Sequence, residues 1–308
     1  NGYGIFLNIS GNLTIGENSK LNSDTYGYTG GVYEENGNGP GAGYGENNIG
    51  GGGAGYGGHG GGSVSGCAAG GVTYGNYYRP LDLGSGGGAG WIAGGKGGGL
   101  IKIYTGGQFN LEGNISVNGQ DGFSDQAGGG GGSGGSIYIV TSSFAGSGYL
   151  VSNGGGGKGS TSGGAGGGGR IAVIYKEEVD WDYSHNLTIV GQSCIQSNSQ
   201  NGTSYFLHYT LNISLNISQN PAPYNSTIVL SGRANMSEGT NVSSWPLTIK
   251  LNDVQYYLNT TENRLVPYNT GTLPTTNETG HYILNFTTPL ESGDYNITLT
   301  TSYEGLHG

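Results

Sequence analysis

The chain has 308 residues with 70 glycines, only 10% charged residues and a net charge of -10, where a soluble domain usually carries about 25% charged residues. Ten Lys and Arg in total exclude a basic nucleic-acid footprint and a basic membrane-binding face. There is no run of 18 or more apolar residues and no secretory leader, so the sequence reads as a processed chain without a membrane-spanning helix.

Glycine divides the protein near residue 210, with seven of the 70 glycines falling in 211–308. In the first part, an apolar pair Ile5–Ile9 and Asn12–Ile15 opens the chain. Residues 25–99 follow as a Tyr/Gly-rich insertion, expected to lie as a glycine-rich layer with tyrosine rings supplying most of its buried apolar area. Short strands then recur at Leu100–Tyr104, Ser136–Val140, Arg170–Tyr175 and Ser204–Tyr209. With Ile101, Ile137, Ile171 and Phe206 as equivalents, the spacings are 36, 34 and 35, a period that signals stacked units too small to bury an apolar face alone.

Each unit adds a second strand, as in Gly113–Gly119, Gly148–Gly154 and His185–Gly191. The expectation is about five coils of two strands joined by Gly-rich returns, with Ile115, Val117, Leu187 and Ile189 inward and Asn114 and Asn186 outward. The returns, such as Gly128–Gly135 and Gly154–Gly169, read either as surface loops or as extended polyglycine helices whose backbones pack closely for want of side chains, and the second reading is preferred. Residues 211–308 show about seven short alternating strands, suiting an immunoglobulin-like β-sandwich. The fold class expected is therefore all-β: a glycine-rich parallel β-helix-like solenoid over 1–210, then a sandwich over 211–308.

Nine of the thirteen asparagines in 211–308 stand in Asn-x-Ser/Thr sequons, where random placement would give roughly three. They are Asn212, Asn216, Asn225, Asn235, Asn241, Asn259, Asn277, Asn285 and Asn296; five more are Asn8, Asn12, Asn114, Asn186 and Asn201. N-linked glycans are bulky surface additions, so these positions predict an extracellular chain under a sugar coat. Cys67 and Cys194 are read either as one disulfide closing a long loop or as two buried thiols.

The stretch Gly97–Tyr209, with GGGLIKI, GGSGGSIYI, SNGGGG and GGGGRIAVIY, resembles glycine-rich repeat modules of large microbial cell-surface proteins. Gly280–Pro289 and Ser292–Thr298 are similar to the last two strands of Ig-like domains in archaeal and bacterial surface proteins. The resemblance implies an extracellular structural module and supplies no catalytic residues.

Chemistry-bearing patterns are sparse. The five histidines lack metal spacing; GxxxxGK at Gly90–Lys96 is followed by Gly97 rather than Ser or Thr, and GxSxG at Gly131–Gly135 lacks triad context. No cofactor is expected; Asn118, Asp121 and Asp125, or Glu34, Glu35 and Glu46, are the oxygen ligands a calcium ion would take. Asp180 and Asp182 around Trp181 are the sole candidates for a sugar-cleaving carboxylate pair. The reading is a non-enzymatic structural subunit of an extracellular filament or surface layer, its partners being copies of itself; an adhesin or carbohydrate-binding module is the alternative.

Overall fold

The computed structural model describes residues 4–46, 49–63, 68–124, 126–159, 163–177, 180–191, 198–209, 211–220, 222–223, 225–236, 246–267, 271–287, 296–303 and 306–307. Among these residues the protein is all-β, with no α-helix and one 3-10 turn at Tyr183–His185. The chain divides into two compact units, Asn1–His208 and Tyr209–Gly308.

The first unit is built from strands β1 (Gly4–Ile9), β2 (Leu13–Ile15), β3 (Lys20–Asn22), β4 (Leu100–Thr105), β5 (Gln108–Leu111) and β6 (Asn114–Ser116). It continues with β7 (Ser136–Thr141), β8 (Ser143–Gly146), β9 (Tyr149–Val151), β10 (Arg170–Tyr175), β11 (Asp180–Trp181), β12 (Asn186–Leu187) and β13 (Thr203–His208). Every third strand pairs in parallel, giving three sheets ordered β1-β4-β7-β10-β13, β2-β5-β8-β11 and β3-β6-β9-β12. Each turn of chain thus contributes three strands, not the two expected. The one overlooked, β5 (QFNL) and β8 (SFAG), lacks the β-branched alternation that marks a strand. Consequently Leu13–Ile15 pairs with Phe109–Leu111, and Asn114–Ser116 pairs instead with Lys20–Asn22.

Register also differs by two residues at the last turn. Ile171 aligns with Ser204, and Phe206 lies beside Val173. A two-residue slip preserves which face each side chain occupies, so periodicity alone could not fix it.

Inward-facing Ile101, Ile103, Phe109, Leu111, Ile115, Ile137, Ile139, Phe144, Leu150, Ile171 and Val173 form one dry core. Phe144 stacks between Phe109 and Trp181 at ring separations of 5.4 and 4.6 Å. Outside the core, side-chain oxygens tie one turn to the next: Asp24 Oδ1 accepts from Asn118 N–H (2.6 Å), Asn118 Oδ1 from Asn153 N–H (2.8 Å) and Asn153 Oδ1 from Ile189 N–H (2.8 Å).

Among the described residues the glycine-rich segments hold no strands; their backbones bond from run to run, with a period of three along Gly129–Gly135. Along Gly129–Gly135, the N–H groups of Gly130 and Ser133 donate to Gly88 and Ser85, those of Gly131 and Gly134 to Gly164 and Gly167, and those of Gly132 and Gly135 to Gln120 and Val117. The carbonyls follow the same rule, accepting from Gly51 and Ala54, from Lys158 and Gly155, and from Gly95 and Gly98. This run therefore has six neighbours, three reached by its donors and three by its acceptors. None of its glycines has positive φ, so glycine serves here by lacking a side chain. A Cβ on Gly128, Gly129, Gly130, Gly131, Gly132, Gly134 or Gly135 would come within 3.0 Å of neighbouring backbone.

The tyrosines of the insertion are displaced by this packing. Tyr56 is buried, but Tyr26, Tyr33, Tyr44, Tyr77 and Tyr78 are at least half exposed, contrary to the expectation that their rings fill the layer. Where glycine backbones approach this closely, a side chain must point away.

The second unit comprises β14 (Leu211–Ile213), β15 (Asn216–Ile217), β16 (Thr227–Met236), β17 (Leu247–Leu251), β18 (Val254–Asn259), β19 (Arg264–Val266), β20 (His281–Thr287), β21 (Ile297–Tyr303) and β22 (Leu306–His307). In one antiparallel sheet β16 pairs with β14, β15 and β20; in the other the order is β19-β18-β17-β21-β22. Ile228, Leu230, Tyr282, Leu284 and Phe286 from the first meet Leu247, Ile249, Leu251 and Leu265 from the second in a single core. Strands β20 and β21 lie in different sheets, and β22 follows them.

Candidate functional site

The first turn of the parallel stack is left open. Its inward residues Ile5, Leu7, Leu13, Ile15 and Leu21 are only half-buried, whereas Ile101, Ile103, Phe109, Leu111 and Ile115 directly beside them are 0% exposed. Among the described residues no strand pairs with the outer edges of β1, β2 or β3. Strands β1–β3 contain no proline and no acidic residue, and their one lysine, Lys20, is held by Asp24 at 3.0 Å; β2 and β3 are only three residues each, so β1 offers the longest edge. Residues Gly4–Ile15 are already paired to their own chain, so what this end offers a neighbour is its outer edge.

The sequon asparagines distribute over the surfaces. Asn8, Asn12, Asn114, Asn201, Asn216, Asn225, Asn277 and Asn296 are exposed, and Asn235, Asn259 and Asn285 are half-buried. Asn186 departs from the expected outward position. Its residue is half-buried, its Oδ1 is fully enclosed without a partner, and its Nδ2 donates to the Tyr183 carbonyl at 2.9 Å, because the 3-10 turn before β12 rotates the strand entry inward. Ile189, expected inward, is 48% exposed. Asn241, Cys67 and Cys194 lie outside the described residues, as does the side chain of Asn212.

The strongest electrostatic perturbation is internal. Arg170 is buried; its Nη2 and Nε donate to the Tyr74 carbonyl (2.7 and 3.1 Å), its Nη1 to Thr203 Oγ1 (3.0 Å), and its guanidinium lies 5.3 Å from the Tyr56 ring. Tyr56 and Ser136 hydroxyls bond at 2.6 Å, and Ser136 donates to the Asp82 carbonyl. Burial raises the pKa of Tyr56 and Tyr74 and lowers that of Arg170. All these groups are spent on fastening Tyr56, Tyr74 and Asp82 to β7, β10 and β13, a task the sequence did not announce.

Of the calcium and carboxylate candidates, Asn118, Asp121 and Asp182 have partners, whereas Glu34, Glu35 and Glu46 belong to no cluster of three ligating side chains among the described residues. Asp121 bonds Lys158 at 3.0 Å and the Gly156 N–H, Asn118 belongs to the ladder above, and Asp125 is outside the described residues. Among the described residues no three His, Cys, Asp or Glu side chains converge. Asp182 caps the 3-10 turn through the Ser184 N–H, which holds its carboxyl below the usual range, while Trp181 between the two aspartates faces the core. Among the described residues no helix is long and apolar enough to cross a membrane. Comparison with protein-family models, curated proteins and solved structures gives no match to this chain.

Proposed function

We propose that this chain is a structural subunit of an extracellular, heavily N-glycosylated filament or surface layer, assembling head to tail through the open first turn of its parallel stack. The observation that carries the reading is the contrast between half-exposed Ile5, Leu7, Leu13, Ile15 and Leu21 and their fully buried neighbours, together with the outer edges of β1, β2 and β3, which pair with no strand among the described residues. A contact that is not self-complementary generates open polymers when its rotation does not close.

The architecture on which this rests is a β-solenoid backed by polyglycine helices and followed by an immunoglobulin-like sandwich. Three residues per repeat without internal hydrogen bonds is the geometry of the polyproline II class, and six neighbours per run is what a threefold helix packed side by side requires. In the second unit, the β16–β20 pair with β14 and β15 at its edge, and the β17–β21 pair flanked by β18 and β22, are what the ABE and C′CFG sheets of an Ig-like domain would form. Fourteen sequons on a weakly charged chain supply the argument for export and for solubility through sugar.

Substituting Ile5→Lys and Leu21→Lys in the full chain places two charges on the open end. Loss of polymers in electron micrographs, with near-UV circular dichroism retained, is the expected result; polymers of unchanged length would overturn the reading. The alternative, a carbohydrate-binding module, is favoured by one cluster: half-exposed Tyr77 stands edge-on to Tyr78 (5.3 Å) and to Tyr205 (5.6 Å), on a turn held by Asn76 Oδ1 accepting from Tyr78 and Arg79 N–H. Binding on a glycan array that vanishes with Tyr77→Ala would favour this second reading.

A further inference from the structure

We infer that the outward turns of the glycine runs form a glycan-binding face, kept clear of the chain's own sugars; the clearance rests on the proposed N-glycosylation. One end of the glycine layer is fastened to the strands through Tyr56, Tyr74 and Asp82, and Tyr77 stands at that end against Tyr205 of β13 (5.6 Å). Elsewhere the runs turn back through exposed residues, and backbone bonds set four of those turns side by side. Glu34 N–H donates to Gly90 O (2.7 Å), Glu46 N–H to Ala89 O (3.1 Å), Trp91 N–H to Ala127 O (2.9 Å) and Phe123 N–H to Ala93 O (3.1 Å). Asn36 Oδ1 accepts from Gly45 N–H (2.9 Å), tying the first turn to the second.

Each of these turns carries an aromatic ring. Tyr33, Tyr44, Trp91 and Phe123 are 65, 52, 40 and 47% exposed, although such rings carry the largest apolar area a side chain can bury. Tyr33 and Glu34 also hold left-handed backbone (φ 40° and 64°), a conformation that favours glycine, in a segment where glycine is the commonest residue. Strain retained at two non-glycine residues of an open turn points to a use for their side chains.

Rings alternate with carboxylates: Glu34 and Glu35 follow Tyr33, and Glu46 lies two residues after Tyr44. The core of a protein-binding patch is depleted of charge, so this pattern does not suit one. A sugar offers both halves of the complement, an apolar C–H face that packs on a ring and vicinal hydroxyls that donate to a carboxylate. The sign of the charge selects further. Lys158 on a neighbouring turn is held by Asp121 at 3.0 Å, and Lys96 lies inward along its run, so these turns are net negative and repel uronates and sulfated sugars. The ligand is therefore a neutral glycan. No sequon asparagine falls in 13–113 or 115–185, the residues that build these turns, which leaves the face open.

Arrays of neutral hexose and N-acetylhexosamine oligosaccharides, printed beside uronate and sulfated ones, test this with the full-length exported protein. Neutral glycans alone should bind. Trp91→Ala and Tyr33→Gly should each weaken binding roughly tenfold or more, the scale for loss of one aromatic anchor, and Tyr77→Ala should leave it unchanged. Tyr33→Gly should do so without lowering Tm, since glycine accepts the left-handed backbone. Absence of binding, preference for acidic glycans, or affinity unchanged in Trp91→Ala and Tyr33→Gly overturns the inference. Electron micrographs separate it from the filament reading: a blank array with polymers intact overturns this inference alone, and loss of polymers in Trp91→Ala assigns the rings to a subunit contact and overturns it too. An intact mass without glycans overturns the glycosylation premise, and the clearance with it.

Discussion

Replacing Gly131 with Ala adds one methyl group to the centre of the glycine layer. That Cβ would lie within 3.0 Å of Gly155 and Gly156 backbone atoms, in a run whose six surrounding segments leave it no direction in which to move. Relief requires displacing the Gly131 N–H to Gly164 O bond and the Ala54 N–H to Gly131 O bond, both 2.9 Å. Overpacking costs about 1–3 kcal/mol and each of the two weakened hydrogen bonds about 1 kcal/mol, so we expect a loss of about 3–5 kcal/mol. For a unit of this size that corresponds to a Tm lowered by about 6–20 °C. Gly11→Ala is the matched control, because nothing lies within 4 Å of its Cβ and its φ is outside the left-handed region; it should change stability by less than about 1 kcal/mol. Denaturant unfolding of both variants followed by circular dichroism decides the matter. A Gly131→Ala protein as stable as Gly11→Ala would refute the claim that these glycines are required for space.

Three further outcomes follow from the same structure. Arg170→Met orphans the Tyr74 carbonyl and should cost about 1–3 kcal/mol, with protease sensitivity appearing first in residues 74–83. Asn153→Ala leaves the Ile189 N–H without its 2.8 Å acceptor and should cost about 1–2 kcal/mol, read as faster amide exchange at Ile189. Burial pushes the Tyr282 hydroxyl up to about 12 and raises Tyr56 and Tyr74 as well, so the folded state retains protons that the unfolded state releases near pH 10. The contribution of these tyrosines should therefore be constant below about pH 10 and fall as pH rises from there towards 12. Tyr282→Phe should remove the part of that fall belonging to the second unit; an unchanged alkaline profile would show that burial of this hydroxyl is not the cause.

The parallel repeat was legible because Ile-x-Ile and Ile-x-Val motifs recur where the apolar pattern is strongest, at Ile101, Ile137 and Ile171. The third strand of each turn was not, since Gln108–Leu111 and Ser143–Gly146 owe their conformation to the strands on either side rather than to their own residues. Glycine composition by itself is equally compatible with floppy loops. Only the three-residue rhythm of partners around Gly129–Gly135 shows that these segments pack against one another, and that rhythm exists between runs far apart in sequence. At the candidate site, the apolar character of Ile5, Leu7 and Leu13 was visible, but their exposure depends on their being the end of a stack. Asn186 looked like Asn114 in sequence, and the difference lies in the 3-10 turn that Asp182 initiates.

The most direct test of the account is electron microscopy of the native, glycosylated material at a resolution that places strands at the subunit contact. The account predicts ordered polymers in which a neighbouring subunit covers the edges of β1, β2 and β3 and buries Ile5, Leu13 and Leu21. Monodisperse particles, or polymers that leave that end uncovered, would contradict it.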